Sequence, residues 1–550
     1  MIQQAAALYQ QKDYERAEIL CRKILKKEPK NSTATHLMGI IYYEKKGFEK
    51  AISYLHKTIE FAPKNTDALV ALASSYEQLK QYEQAIHYFE TAYQSNPTQH
   101  NLLFQACRLL EQTGHAEKAI AALKCFLNHS PENIDGLFQL THLFMRLGDY
   151  SRAKDSVLML QQVMPESPEV WNLTGLIESN QGRVSEAKYS FSQALKLDPN
   201  HFQSKLNFAS FLQDQGLLRD AKQHYLEIID NFQDTSYKPF LQKINYNLAL
   251  IELGYGDFKN GWIHLKNRPK NISSLPCRSE LKNKNLLIKG EEGLGDELMF
   301  LRFIPQLKEQ NNNISYLTSP KLADILSTVP SIDKVMTREY DENNYDIELS
   351  LMDLPIILEI DDPDSLPPPI KLNLSIEKQN NWSDQKKENE LILGLSWRAG
   401  QLDRHNSAEK FLNKEIPLGV IKEILTHFQG TIVILQRDLA ISELQDLINT
   451  LSHIKFINAS DLNNNLPAML NTLDFLDAYI GVSNTNMHLY GSLRKKGCVI
   501  TPYPGEWRWM YEGKHSPWYP DFDLIRQSKK DNWESVIGES QQYLNNLKYA

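Results

Sequence analysis

The sequence predicts a chain of two parts, an α-helical solenoid followed by an α/β part made of two parallel-sheet lobes. Three observations carry this. Small residues and prolines recur at a fixed spacing through the N-terminal half. That spacing stops near Ser279, where short apolar runs begin to alternate with amphipathic helices. A glycine-rich turn, Leu287-Ile288-Lys289-Gly290-Glu291-Glu292-Gly293-Leu294-Gly295-Asp296, opens the second half between an apolar run and a helical pattern.

Alanine returns at Ala17, Ala51, Ala85, Ala119, Ala153, Ala187 and Ala221, and proline at Pro29, Pro63, Pro97, Pro131, Pro165 and Pro199. A second small position runs through Gly39, Ala73, Cys107, Thr141, Gly175 and Ala209. A bulkier side chain stands at Tyr14, Phe48, Tyr82, Tyr150, Val184 and Leu218. This pattern resembles the tetratricopeptide repeat: small residues where the two helices of a repeat touch, a bulky one at the turn, a proline after the second helix. After a break at Asp230, an eighth, atypical unit follows with Gly261 in the alanine slot. Stacked helix pairs form a groove suited to an extended peptide or a partner helix, so protein binding is the expected role; spacing or dimerising the second half is the alternative.

Bulk properties narrow the function classes. At 550 residues, two to four domains are expected. A net charge of -8 and a pI near 6.1 argue against a nucleic-acid footprint, which needs clustered basic surface. The five cysteines (Cys21, Cys107, Cys125, Cys277, Cys498) are scattered, without zinc spacing, as in a reducing compartment. The polar start and the absence of a run of roughly 18 apolar residues predict a soluble, cytoplasmic chain without a membrane span.

The second half reads as two βαβ series. The first has apolar runs at Leu286 to Ile288, Ile314 to Leu317, Lys334 to Met336 and Tyr345 to Leu351, with a crossover helix at Leu322 to Ser327. Asp361 to Asp364, the triplet Pro367-Pro368-Pro369 and the polar stretch Asn380 to Asn389 break it and mark a joint. The second has runs at Leu391 to Trp397, Thr431 to Leu435, Lys455 to Asn458, Asp477 to Val482 and Cys498 to Thr501, then a terminal helix (Trp533 to Leu547) able to pack across that joint. The predicted domains are 1–266 (solenoid), 267–380 (first lobe) and 381–550 (second lobe). The turn spacing is G-x-x-G-x-G, not the dinucleotide fingerprint, so nicotinamide binding is not implied.

Several stretches occur in a recognisable order: Gly290 to Asp296, Gly394-Leu-Ser-Trp397, Asn413-Lys-Glu-Ile-Pro-Leu418, Leu435-Gln436, Val482-Ser-Asn-Thr-Asn-Met-His488, Glu506-Trp-Arg-Trp509 and Ser516-Pro-Trp-Tyr-Pro520. Together they resemble tetratricopeptide-repeat glycosyltransferases whose catalytic part is similar to the heptosyltransferases of glycosyltransferase family 9. The resemblance implies a GT-B fold of two Rossmann-like lobes. It implies a nucleotide-sugar donor held by the second lobe, an acceptor facing the first, and inverting transfer without a metal or further cofactor. A protein acceptor recruited by the repeats is the leading expectation. A carbohydrate or lipid-linked glycan acceptor is a second, and a non-catalytic protein-binding scaffold with a degenerate α/β part a third.

The resemblance makes Asp296 the catalytic base, an acid that could otherwise serve as a first-turn helix residue. Glu291 and Glu292 are runner-up acids, and Gly290, Gly293 and Gly295 shape the loop. The helix start after Val482 carries Ser483, Asn484, Thr485, Asn486 and His488, whose amides, hydroxyls and imidazole suit a diphosphate or ribose. Many relatives have an acid where this chain has Ser483. Lys414, or alternatively Arg398, could neutralise the diphosphate, and Gln436 ends a strand where α/β proteins bind ligands. Glu506, Trp507, Arg508 and Trp509 are expected as a loop over the donor, with core filling as the alternative for the rings.

Overall fold

The computed structural model describes residues 1–268, 275–337, 344–373, 390–399 and 414–547. They form two compact units, Met1–Phe208 and Ala209–Ala550.

The first unit is a stack of antiparallel helix pairs, such as Ser32–Glu44 with Phe48–Phe61 and Pro168–Asn180 with Val184–Leu197. Its register follows from small-against-large packing. Ala17, Ala51, Ala85, Ala119, Ala153 and Ala187 are each fully buried. A Cβ on Gly39 would lie 2.6 Å from Leu55, and one on Gly175 2.9 Å from Phe191. Asn31, Asn65, Asn133 and Ser167 cap first helices by accepting a backbone N–H of the following turn. Each second helix stops two residues before its proline, as at Phe61 before Pro63 and Leu197 before Pro199, because the residue preceding a proline avoids the helical region.

In the second unit, the last helix pair (Lys238–Gly254 and Phe258–Lys266) is built into the α/β core. Trp262 donates its indole N–H to the Ile360 carbonyl at 2.6 Å, and the Phe258 and Trp262 rings pack on Trp518. Tyr511 donates its N–H to the Gly254 carbonyl at 2.8 Å, where a Cβ would lie 2.1 Å from the Tyr511 ring.

Strands β1 (Asn285–Lys289), β2 (Asn313–Leu317), β3 (Lys334–Met336) and β4 (Ile347–Ser350) form a parallel sheet in the order β3-β2-β1-β4. Strands β5 (Ile392–Ser396), β6 (Thr431–Ile434), β7 (Lys455–Asn458), β8 (Ala478–Gly481), β9 (Gly497–Thr501) and β10 (Phe522–Arg526) form a second parallel sheet, ordered β10-β9-β8-β5-β6-β7. The expected strands are present, helix Pro320–Leu326 fills the crossover from β2 to β3, and β10 is an addition. In both sheets the chain winds outward from a central strand and then returns to that strand's other side. The reversal falls between β1 and β4 and between β5 and β8, and α/β proteins bind ligands outside the carboxyl ends of the strands at such points.

Two expectations need correction or fall away. Helix Glu534–Asn546 does not cross the joint: Val536 and Leu544 share a core with Ile421, Ile424 and Leu425 of the second lobe, and Gln541 donates to the Glu423 carbonyl at 2.8 Å. The polar stretch Asn380 to Asn389 lies outside the described residues. No described helix is long and apolar enough to cross a membrane.

Candidate functional site

The loop after β1 is shaped by what lies beneath it. A Cβ on Gly290 would sit 2.4 Å from a carboxylate oxygen of buried Glu297, which accepts from the hydroxyls of Tyr316 (3.1 Å) and Thr318 (2.6 Å). Burial pushes the Glu297 pKa up. Glu292 is exposed at the loop tip with φ +66°, a conformation non-glycine residues rarely adopt. The protein crowding it, together with the charges of Asp296 and Glu291, raises its pKa. Glu291, expected as a spare acid, is instead tied down. Arg268, only 2 % exposed, donates to it at 3.0 and 2.6 Å, and to Asp353 at 2.8 Å, while the Ser350 hydroxyl donates as well.

Helix Leu294–Phe300 follows, N-capped by Gly293. Gly295 meets His488 of helix Thr485–Ser492: a Cβ there would lie 2.7 Å from the imidazole Cδ2. These two helices, each starting at a switch point, therefore bring the two lobes together.

Five of the predicted side chains converge. Asp296 accepts from Arg508, at 2.7 Å from Nε and closer still from Nη2. Arg508 also donates to Glu506 at 2.6 Å, and Glu506 pairs with Lys414 at 2.9 Å and accepts from the Ser483 hydroxyl at 3.3 Å. Asp296 and Glu506 are 9 % and 5 % exposed. Burial alone would raise the Glu506 pKa, yet Lys414 and Arg508 overcome it and hold it at about 2. Burial opposes the Arg508 charge, but Asp296 and Glu506 drive its pKa up. The two acids and two cations offset one another. The cavity beside them, walled by Lys414, Ser483, Thr501 and Glu506, measures about 10 Å³, room for one water. A nucleotide-sugar donor, expected on the second lobe, does not fit a cavity of that size.

His488 is 3 % exposed, with Nδ1 3.0 Å from the Tyr519 hydroxyl and its ring stacked on Trp509 at 5.7 Å. Burial, then the charge of Arg508, lower its pKa to about 4. The sign of the resulting pH effect is fixed. An unfolded imidazole takes up a proton below about 6.5, whereas the folded one resists until about 4. Stability should therefore fall as pH drops through that window, by up to about 3 kcal/mol. Urea midpoints measured at several pH values by tryptophan emission should show this slope, and His488→Gln should flatten it.

The remaining predicted residues are taken up by the fold. Gln436, fully buried, accepts from the N–H groups of Trp397 (3.0 Å) and Arg398 (2.9 Å) and donates to the Arg398 and Arg437 carbonyls. All its hydrogen-bonding capacity is used. Arg398 forks onto Glu443 and the Asp438 carbonyl. Asn484 caps its helix by accepting from the Met487 N–H at 3.0 Å and donates to Ser396 at 2.8 Å. Asn486 donates to the Leu435 carbonyl and Asn463, and Thr485 is half-buried in the first turn. Trp507 and Trp509 are 3 % and 0 % exposed and pack in the aromatic core with Trp518, Tyr519 and Phe522, so core filling, not ligand stacking, describes them.

Sequence reasoning missed Arg302, Tyr519 and Arg268. A lone cation inside the apolar run Leu298 to Ile304 was the available signal for Arg302, which is 1 % exposed.

In the first unit a cavity of about 380 Å³ opens between the second helices Tyr150–Val163 and Val184–Leu197, floored by Pro168–Asn180. Its lining is mostly apolar, with Leu158, Trp171 and Tyr189. Family models match the array: "Anaphase-promoting complex, cyclosome, subunit 3" over residues 10–92, "YpiA-like, C-terminal tetratricopeptide repeats" over 68–133, and "Tetratricopeptide repeat" over 168–201. The N-terminal part of the chain, to about residue 201, is built of tetratricopeptide repeats. Protein FlbA of Caulobacter vibrioides is 24% identical over 176 residues, which is 30% of this chain and 29% of that protein. A tetratricopeptide repeat protein from Parabacteroides merdae aligns with 45% of this chain and 91% of its own, at 16% identity and a TM-score of 0.33. YrrB, described as having an unusual peptide-binding site, aligns with 34% and 95%, at 14% identity and a TM-score of 0.30.

Proposed function

We propose that the tetratricopeptide array captures a protein or peptide partner and that the α/β part, read as a GT-B module, transfers a sugar to it from a nucleotide-sugar donor, with inversion. The observation that carries the transfer reading is the meeting of Asp296, Arg508, Glu506, Lys414 and Ser483 at the switch points of two parallel sheets. Switch points of this kind are where α/β proteins hold ligands. In this reading Asp296 removes the acceptor hydroxyl's proton as the sugar carbon–oxygen bond forms and the bond to the nucleotide diphosphate breaks. Arg508 and Lys414 stabilise the departing diphosphate. Their present partners are Asp296 and Glu506, so an arriving diphosphate exchanges for those carboxylates, opens the cavity, and leaves Asp296 free to act as base. The apolar cavity around Leu158, Trp171 and Tyr189 supports partner capture by the repeats.

The self-neutralised, closed cluster favours a second reading, a protein-binding scaffold whose α/β part has lost its chemistry. One experiment separates the two. The full chain is titrated calorimetrically with a panel of nucleoside diphosphates and nucleotide sugars, then assayed for nucleotide release with candidate protein acceptors. Binding and release support transfer; no binding across the panel leaves the scaffold.

A further inference from the structure

The cavity between the second helices Tyr150–Val163 and Val184–Leu197 opens where one repeat departs from its own pattern. Glu178, on its floor, holds the repeat position that Tyr42, Leu110 and Phe144 fill elsewhere, and Thr174 holds the one that Leu72 and Leu140 fill. Those five side chains are buried in packing, whereas a hydroxyl and a carboxylate in their place leave about 380 Å³ open. One repeat earlier the chain closes the same place itself: Lys124 and Arg152 lie over the Phe144 ring, 5.8 and 4.8 Å from its centroid. Their counterparts here are Leu158 and Glu186, which both line the cavity. The ring has become an acid, one covering cation an apolar side chain, and the other cation a second acid.

A carboxylate buried against apolar walls is costly unless a cation and hydrogen bonds satisfy it. Glu178 is only 7 % exposed. One of its oxygens accepts from the Ser190 hydroxyl at 2.7 Å, while the other faces Lys154 Nζ at 3.8 Å, beyond hydrogen-bond distance. Lys154 is the single cation of the lining, against the two acids Glu178 and Glu186. Beside them stand two rings: Trp171, held by its N–H to the Pro165 carbonyl at 2.9 Å, and Tyr189, 6.0 Å away and nearly perpendicular to it. We infer that this cavity takes an arginine side chain of a protein or peptide partner, with the guanidinium on Glu178 and the stem among Leu158, Trp171 and Tyr189. Arginine suits it better than lysine because a planar fork gives a carboxylate two N–H groups and stacks on aromatic faces. The partner thus supplies the cation that Lys124 and Arg152 supply from within the chain one repeat earlier. The Lys154 side chain, 27 % exposed, turns to water as it arrives. The inference rests on the partner-capture reading of the repeats and is independent of sugar transfer.

The test is selection of peptides from a random phage-displayed library on the full chain, with counter-selection on Glu178→Leu. That variant carries the residue found at the same position as Leu110, so it should fold while filling the cavity. The enriched sequences should share an arginine. In a synthetic peptide of that sequence, replacing the arginine by citrulline, which keeps its shape without its charge, should weaken calorimetric affinity roughly 10- to 100-fold, the scale of a hydrogen bond between charged groups. Glu178→Gln should remove most of the difference between the two peptides, and a difference that persists in full overturns the pairing with Glu178. Peptides that depend on the cavity but carry no arginine overturn the arginine chemistry and leave partner capture standing. If no peptide distinguishes the wild type from Glu178→Leu, the cavity is not a capture site and both readings of it fail.

Discussion

Arg508→Met should destabilise the α/β part by about 3 to 5 kcal/mol, the scale seen when one partner of a buried ion pair is removed. The guanidinium is shared between Asp296 and Glu506 and lies 4.9 Å from the Trp507 ring centroid. Methionine fills much of the volume but leaves two buried carboxylates with only Lys414 near one of them. Those carboxylates can relieve the strain by taking up protons. The loss should therefore be largest at neutral pH and shrink as the solution is acidified. Most tryptophans lie in this part of the chain, Trp171 being the single one before Trp262, so urea unfolding followed by tryptophan emission reports on it selectively. The double variant Asp296→Asn with Arg508→Met should recover part of the loss, since it removes one stranded charge. Strict additivity of the two single variants would mean that the pair is not coupled.

Much of this architecture was legible in the residues. The alanine and proline register gave the helix pairs because a Cβ-sized side chain is all that fits where two helices cross, as Ala51 and Ala153 show. The parallel strands were legible because buried ones read as continuous apolar runs. β10 was not, since Asp523 interrupts a run only five residues long. The role of the last helix pair was also invisible: Phe258 and Trp262 look like repeat residues, and only tertiary packing sends them into the α/β core.

The candidate site divides along a similar line. Sequence position put Gln436, Arg398, Asn484 and Asn486 near strand ends, which is where they are, but it cannot say where a side chain points. Each turned back to satisfy a backbone group or a neighbouring side chain, a demand any buried loop imposes. Asp296, Lys414, Ser483, Glu506 and Arg508 instead turned toward one another. The aromatic rings of Trp507 and Trp509 and the charges of Glu506 and Arg508 alternate along one short stretch, so the even spacing that suggested a ligand-stacking loop equally describes a turn with its rings in the core and its charges at the site.

If the proposed reaction is right, Asp296→Asn should lower sugar transfer by about 100- to 10,000-fold, the contribution of a positioned general base. The amide keeps the carboxylate's shape and can still accept from Arg508, which also keeps Glu506, so the chain should still fold, and nucleoside diphosphate affinity should hold or rise because a charged Asp296 no longer competes for Arg508. Loss of turnover with retained binding is the signature of a group needed in the transition state rather than for holding the donor. Arg508 bears on this result, because it occupies the Asp296 carboxylate through two hydrogen bonds, and that carboxylate cannot meet an acceptor hydroxyl until the cation finds another anion. A donor diphosphate supplies that anion in the proposed reaction, which ties the base to the leaving group through a single side chain. Rapid-mix measurements should then show donor binding preceding any proton uptake. Should Asp296→Asn turn over normally, the neighbouring Glu292, exposed at the loop tip and with its pKa raised, becomes the acid to replace next.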